Sequence, residues 1–340
     1  MSAPVSAPVP VVLDVDTGVD DACALLLAAA HPGLDLRAVT CVGGNASLPD
    51  VVANTMTVLD AAGRPDVPVA AGAARPLLEP ARDARHVHGQ DGMGDLDWPR
   101  STRSPDPRFA AELLRDVLRD AAQAGPAARV TLVPLAPMTN IALLLRSYPD
   151  AVAGLREIVF MGGAACTGNA TASAEFNVWH DPEAAAIVLE AAADALVPVR
   201  MYGLDVFYEV QVSSVQAEAL MAHGRDVGHP SADLAGRLVE FQCRRMGQDR
   251  ATIGDAGAVC AVADPAGLTT ERLPVGVELA GTRSRGRTIV DRRPRDADLP
   301  SATHDPGRPM SSDVDVALGV DGARYARLWL DTVGGPGWPR

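Results

Sequence analysis

The run Val9-Pro10-Val11-Val12-Leu13-Asp14-Val15-Asp16-Thr17-Gly18-Val19-Asp20-Asp21 decides the fold. Its first seven residues are mostly β-branched or apolar, the composition of a strand covered on both faces. Gly18 permits a sharp turn, and the apolar stretch from Asp20 to about Ala30 reads as a helix. A buried strand that turns directly into a helix is the first half of a strand–helix–strand unit.

Outward from this run the same alternation continues. Leu36–Val42, Val67–Ala70, Arg129–Leu135, Glu157–Met161 and Leu196–Tyr202 have strand character, and Val51–Ala62 and Phe109–Ala122 have helical character, with further helices expected after Asn140 and Pro182. Strands alternating with helices imply right-handed crossovers. The expected architecture is therefore α/β: an open, mostly parallel, Rossmann-like sheet flanked by helices in a single domain. Polar residues cluster just after the strands, at Asp16, Asn45, Thr139-Asn140 and within 162–177. Sheets of this kind bind ligands outside the carboxyl ends of their strands, so these distant groups are expected to share one crevice. The Pro/Gly/Arg-rich stretch Arg75–Asp106 is too long for a routine connection and suits a functional loop. A second polar region, Arg283–Ser312, is expected to contain a late hairpin, since Arg287–Val290 has strand character.

The 340 residues are 47% hydrophobic but only 4% aromatic, so a large core must be built from Ala, Val, Leu and Ile. Every basic side chain other than His is Arg. The net charge of −13 opposes binding to nucleic-acid backbone. The five Cys lack any Cys-x-x-Cys spacing and suit reduced thiols of a cytoplasmic protein. No apolar run reaches membrane-spanning length, and residues 1–8 are expected to form a disordered lead-in.

Asp14, Asp16, Asp20 and Asp21 place four carboxylates in eight residues. Asp14 and Asp16 share a face of an extended strand end because the strand period is two. One acid at positions 20 or 21 could simply cap the helix, but four flanked by apolar segments require a cation, a shared proton or full exposure. Oxygen-only ligands favour Ca²⁺ or Mg²⁺, with no His or Cys near enough to suggest zinc. Haloacid-dehalogenase phosphatases also end a strand in Asp-x-Asp, but they use a later basic residue, usually Lys, and this chain contains none.

The segment resembles more closely the acidic fingerprint of the inosine–uridine-preferring nucleoside hydrolases, Asp-x-Asp-Pro-Gly-x-Asp-Asp-Ala, with Thr17 in place of Pro. Further similar blocks follow in order: Val42-Gly43-Gly44-Asn45, His88-Gly89-Gln90-Asp91-Gly92, Pro137-Met138-Thr139-Asn140 and Met161-Gly162-Gly163. The most specific is 168–177, Gly-Asn-Ala-Thr-Ala-Ser-Ala-Glu-Phe-Asn, followed by Asp181-Pro182-Glu183-Ala184, Gly254-Asp255-Ala256 and 286–293. The likeness spans nearly the whole chain and implies one such domain over residues 9–340.

This resemblance implies hydrolysis of the N-glycosidic bond of ribonucleosides, in purine or pyrimidine salvage, by a homodimer or homotetramer. Asp16, Asp21, Asp255 and the Leu135 backbone carbonyl would hold Ca²⁺, with Asp16 as general base toward a water on the ion. Asp20, Asn45, Met161, Asn169, Glu175 and Asn177 would hold the ribose, and Asp14 would support the metal ligands. Many members carry a His just before the late metal Asp, where it helps the base leave; here that place is Gly254. His88, Trp179, Tyr208 and Arg245 become the candidates for contact with the base, together with Tyr202. The Asp83–Trp98 loop and 246–253 region are expected to close over it. A relative that binds ribosides without turning them over is the competing reading.

Overall fold

The computed structural model describes residues 7–293 and 312–339. Eleven strands occur in it: β1 Val9–Val15, β2 Leu34–Cys41, β3 Val69–Ala71, β4 Val130–Pro134, β5 Leu155–Met161, β6 Val199–Tyr202, β7 Gln211–Ser213, β8 Arg250–Thr252, β9 Leu268–Val277, β10 Thr288–Val290 and β11 Ser312–Val320. Nine form one sheet in the order β10-β9-β11-β6-β5-β4-β1-β2-β3, while β7 and β8 make a small separate ribbon. All pairings from β3 across to β11 are parallel; only β9 runs antiparallel to its neighbours β11 and β10. The mostly parallel α/β architecture thus matches the reading of the sequence.

Alternation along the strands supplies two cores. Val11, Leu13 and Val15 of β1 join one cluster with Val133 and Val159, against the helices Val19–Ala30 and Gly254–Ala263. Val12 joins the other with Leu132, Ile158 and Phe160, against the helices Ala110–Ala124, Thr139–Ser147 and Pro182–Asp194. Strands buried on both faces need apolar residues at both parities, which is why β1 shows no polar alternation before its acidic end.

The order β3-β2-β1-β4-β5-β6 places a topological switch between β1 and β4. Connections leave β1 in one direction and β4 in the other, so a crevice opens at their carboxyl ends. Asp16 follows β1 directly, and Leu135 follows β4.

Two expectations need adjustment. The strand read as Leu196–Tyr202 begins only at Val199. The preceding helix ends with Leu196 at φ 56°, with Leu196 N–H donating to Ala193 O and Val197 N–H to Ala192 O. Those bonds close the helix in the way a glycine usually does, so the apolar residues there belong to a helix end rather than to the strand. Of the hairpin expected within Arg283–Ser312, only β10 falls there; its antiparallel partner β9 lies earlier, and the sequence hides it because Thr269, Thr270, Glu271 and Arg272 are exposed and Pro274 lies within it. Residues 294–311 of the second polar region, and 1–6 of the lead-in, lie outside the described residues. No helix among the described residues is long and apolar enough to cross a membrane.

Candidate active site

Asp14 is fully buried at the end of β1. Its Oδ1 accepts from Thr40 Oγ1 at 2.5 Å and from Asn140 Nδ2 at 2.8 Å. Asn140 Nδ2 also donates to Cys41 O at 3.0 Å, and Asn140 Oδ1 accepts from Ala73 N at 2.8 Å. Asp14 therefore pins β1, β2 and the helix after β4 together and holds the floor of the crevice. Burial pushes its carboxyl up to about 7 against the opposing effect of Asn140 and Thr40.

Asp16 stands just beyond the strand, also fully buried. Asn45 grips it twice, N–H to Oδ2 at 2.7 Å and Nδ2 to Oδ1 at 3.1 Å, and the same amide nitrogen reaches Asp21 Oδ2 at 3.1 Å. Asp21 in turn accepts from Asp16 N at 3.2 Å and Gly18 N at 2.9 Å, so it closes the turn that the first strand makes into its helix. Gly44 has a steric reason to be glycine: any Cβ there would land on the Asp16 carboxylate. Thr17, where the resembling family has Pro, bonds its hydroxyl to Thr55 Oγ1 at 2.6 Å, which anchors the turn to helix Leu48–Ala61.

Helix Gly254–Ala263 brings Asp255 to the same place. Carboxylate oxygens of Asp20, Asp21 and Asp255 all lie within 4.8 Å of one another. Asp16 is not part of that triplet but is linked to it through Asn45. Burial, then neighbouring negative charge, raises Asp16 and Asp255 well above the ordinary carboxylate range, and burial together with Asp20 pushes Asp21 up to about 7. Among the described residues, the only potentially cationic side chain within ion-pair reach of these acids is His88, whose Nδ1 is 3.7 Å from Asp20 Oδ1. That Asp20 oxygen is buried without a hydrogen-bond partner.

Buried carboxylates with no counter-charge are costly, and an oxygen-only set facing inward suits a hard divalent cation. The acids of this chain fit such an ion: their donor chemistry is right, burial and mutual repulsion disfavour the charged forms of Asp16, Asp21 and Asp255, and Asp20 Oδ1 has no hydrogen-bond partner.

The opposite wall comes from the segment after β5. Glu175 caps the helix Phe176–His180, accepting from Asn177 N at 2.8 Å, Val178 N at 3.0 Å and Gly163 N at 2.9 Å. Burial still pushes it up to about 7. Asn177 Nδ2 donates to Leu135 O at 2.9 Å and Met161 O at 3.2 Å, with Met161 Sδ at 3.4 Å. The Leu135 carbonyl, Met161 and Asn177 thus meet in one place. Asn169 is exposed; its Oδ1 accepts from Phe176 N at 2.9 Å, and its side chain lies beside Tyr208.

Not every candidate for the base reaches the crevice. His88 does: it is buried, and Nδ1 accepts from Val19 N at 3.2 Å, which leaves its proton on Nε2. Burial lowers its pKa. Tyr208 reaches the rim through Asn169. Trp179, two residues past Asn177 on a helix, faces another way; it stacks under Arg82 at 4.2 Å and packs on Gly286. Arg245 donates through Nε to His86 O at 2.9 Å, clasping the loop that carries His88. Tyr202 is wholly buried against Gly257. Sequence reasoning missed the task of Asn140, although its Pro-Met-Thr-Asn block was visible. It also missed Phe207, whose ring fills the space beside Gly254.

A mostly parallel α/β sheet with an acidic crevice at its switch point defines a class of small-ligand-binding folds, and comparison with known proteins identifies the family. The family model for inosine-uridine preferring nucleoside hydrolase matches residues 11–327. An inosine-uridine preferring nucleoside hydrolase of Leishmania major is 37% identical over 95% of this chain and 96% of its own length. A pyrimidine-specific ribonucleoside hydrolase, RihA, of Salmonella paratyphi B is 36% identical over 86% and 92%. The solved structure of a plant nucleoside hydrolase superposes with a TM-score of 0.84 at 28% identity, covering 97% of this chain and all of that one. The chain belongs to the inosine-uridine preferring nucleoside hydrolase family, enzymes that are N-glycosyl hydrolases of ribonucleosides. The Asp-x-Asp turn is thus that family's and not that of the dehalogenase phosphatases.

Proposed function

We propose that this protein hydrolyses free ribonucleosides to base and ribose, with Ca²⁺ held by Asp16, Asp21, Asp255 and the Leu135 carbonyl. One observation carries the reading: Asp16, Asp20, Asp21 and Asp255 converge in a buried crevice without a guanidinium among the described residues to neutralise them. When bound, the ion supplies a positive pole for the vicinal hydroxyls of the sugar and makes water at the site more acidic.

Asp16 takes the proton of the water that attacks the anomeric carbon. Its two oxygens are aimed by the two donors of Asn45, so the carboxylate cannot rotate away. A C–O bond forms at that carbon as the C–N bond breaks, and the bonding pair leaves on the base nitrogen. Positive charge that builds on the ribose ring is stabilised by the surrounding carboxylates. Asp20, Asn45, Asn169, Glu175 and Asn177 hold the hydroxyls, and Met161 packs on the sugar. Asp14 supports the floor. His88 and Tyr208 border the base, with the Nε2 proton of His88 available to the departing ring. Of the remaining base candidates, Trp179 stiffens the wall behind Asn177, and Arg245 positions the His88 loop. Residues 9–340 act as one domain, a cytoplasmic location suits five unpaired thiols, and assembly into a homodimer or homotetramer belongs to the same proposal.

The test is release of free base from inosine and uridine by protein stripped with a chelator and then resupplied with Ca²⁺. Turnover that disappears on stripping and returns with Ca²⁺ supports the reading. Turnover indifferent to the ion, or binding of nucleosides without release of base, refutes it.

A further inference from the structure

Gly254 opens the helix that presents Asp255 to the acid cluster, and it is buried. A Cβ built on it would fall within the ring of Phe207. Phe207 ends the one-turn helix Leu204–Phe207, which follows β6 at the carboxyl edge of the sheet. Its ring is partly buried and packs against the core around Asp255's helix. On its outer side it meets Tyr208 edge-on, with ring centroids 5.1 Å apart. Tyr208 lies beside Asn169, and Asn169 Oδ1 accepts from the backbone of Phe176. A line of neighbours therefore runs from Gly254 through Phe207 and Tyr208 toward Asn169 and the helix that carries Asn177.

We infer that Phe207 takes the place of the side chain missing at position 254 and is a specificity-determining contact for the base. The inference rests on the hydrolase reading above. A phenyl ring offers a flat apolar surface and an aromatic edge but no proton. It favours a heteroaromatic base by contact area, and every base has a face on which an aromatic ring can stack. A bicyclic purine offers more of that face than a monocyclic pyrimidine, so purine ribonucleosides gain more from Phe207. The size of one residue is matched to the absence of the other: the ring fits only because position 254 has no side chain.

The experiment measures kcat/KM for inosine and uridine with Ca²⁺-replete wild type, Phe207→Ala and Phe207→Leu, and melting temperatures for these and for Gly254→Ala alone and combined with Phe207→Ala. Phe207→Ala is expected to lower kcat/KM for inosine about tenfold and for uridine about threefold or less, consistent with the loss of a stacking contact. Phe207→Leu restores bulk but not the inosine-to-uridine ratio. Gly254→Ala alone lowers the melting temperature, and adding Phe207→Ala recovers part of that loss. Equal losses on both nucleosides would overturn the specificity role and leave Phe207 as packing. Strictly additive melting shifts would overturn the pairing with Gly254. A wild type that releases base from neither nucleoside would instead sink the hydrolase reading, and this assignment with it.

Discussion

The two ends of the crevice are built in different ways. The acidic end is held by residues at the ends of neighbouring strands: Asp21 caps the turn that begins at Asp16, Asn45 clamps Asp16 from just beyond β2, and Asp14 locks into Thr40 and Asn140. The base end is assembled from loops and helices: His88 from a long loop, Phe207 and Tyr208 at a one-turn helix after β6, Gly254 from a late helix and Arg245 as a clasp. The first end is fixed by strand termini that the sheet itself places. The second depends on how loops and helices pack around them. Chemistry on the sugar is thus tied to the fold, while recognition of the base can change without disturbing it.

That contrast makes the largest predicted effect fall at the acidic end. Asp16→Asn should lower kcat by roughly a thousandfold or more, the scale of a lost general base, while the circular dichroism spectrum stays that of the wild type. A residual activity within a few-fold of wild type would move the base role elsewhere. Gly44→Ala should come next. Its Cβ would push the Asp16 carboxylate off the donors of Asn45, so kcat should drop about a hundredfold or more with a smaller change in KM; steady-state kinetics on inosine checks both.

A third prediction concerns pH. Burial pushes Asp14, Asp21 and Glu175 up to about 7, against an ordinary value near 4 in the unfolded chain. A raised folded-state pKa means stability that is fully present below the unfolded value and lost as pH climbs through the folded one. Between pH 5 and 8 the surface acids Asp66, Asp106 and Asp150, whose arginine partners or neighbouring donors lower them, stay ionised and contribute no slope. Ion-stripped protein should therefore melt several degrees lower at pH 8 than at pH 5. Excess Ca²⁺ should narrow or reverse that difference, since an ion at a hundred times its Kd adds about 2.7 kcal/mol. A flat melting profile in stripped protein would mean that the acids are already compensated.

The smallest effect belongs to the base end. Arg245→Ala frees the His86 carbonyl and loosens the His88 loop, so KM should rise a few-fold with kcat nearly unchanged. A large loss of kcat would bring Arg245 into direct contact with the reacting base.

Much of the acidic end is legible in the amino-acid sequence. Asp16, Asp21, Asn45, Glu175 and Asn177 follow strands whose apolar runs are unmistakable, and a parallel sheet sends every strand end to the same edge. What stays hidden has physical reasons. Asn140 reads as a turn residue because its partner, Asp14, is 126 positions away. Trp179 reads as a wall of the base site, yet helical geometry turns it onto Arg82. Strand β9 escapes notice because half of it is exposed and polar. Phe207 cannot be tied to Gly254 by sequence alone, since a missing side chain at one residue says nothing about what fills the space.

The most direct check of the central claim is calorimetric titration of Ca²⁺ into chelator-stripped protein without nucleoside, for wild type and Asp255→Asn. The account predicts one ion per chain for wild type and binding weakened at least tenfold by the substitution. No saturable binding to the wild type, or equal affinity in both proteins, would contradict it.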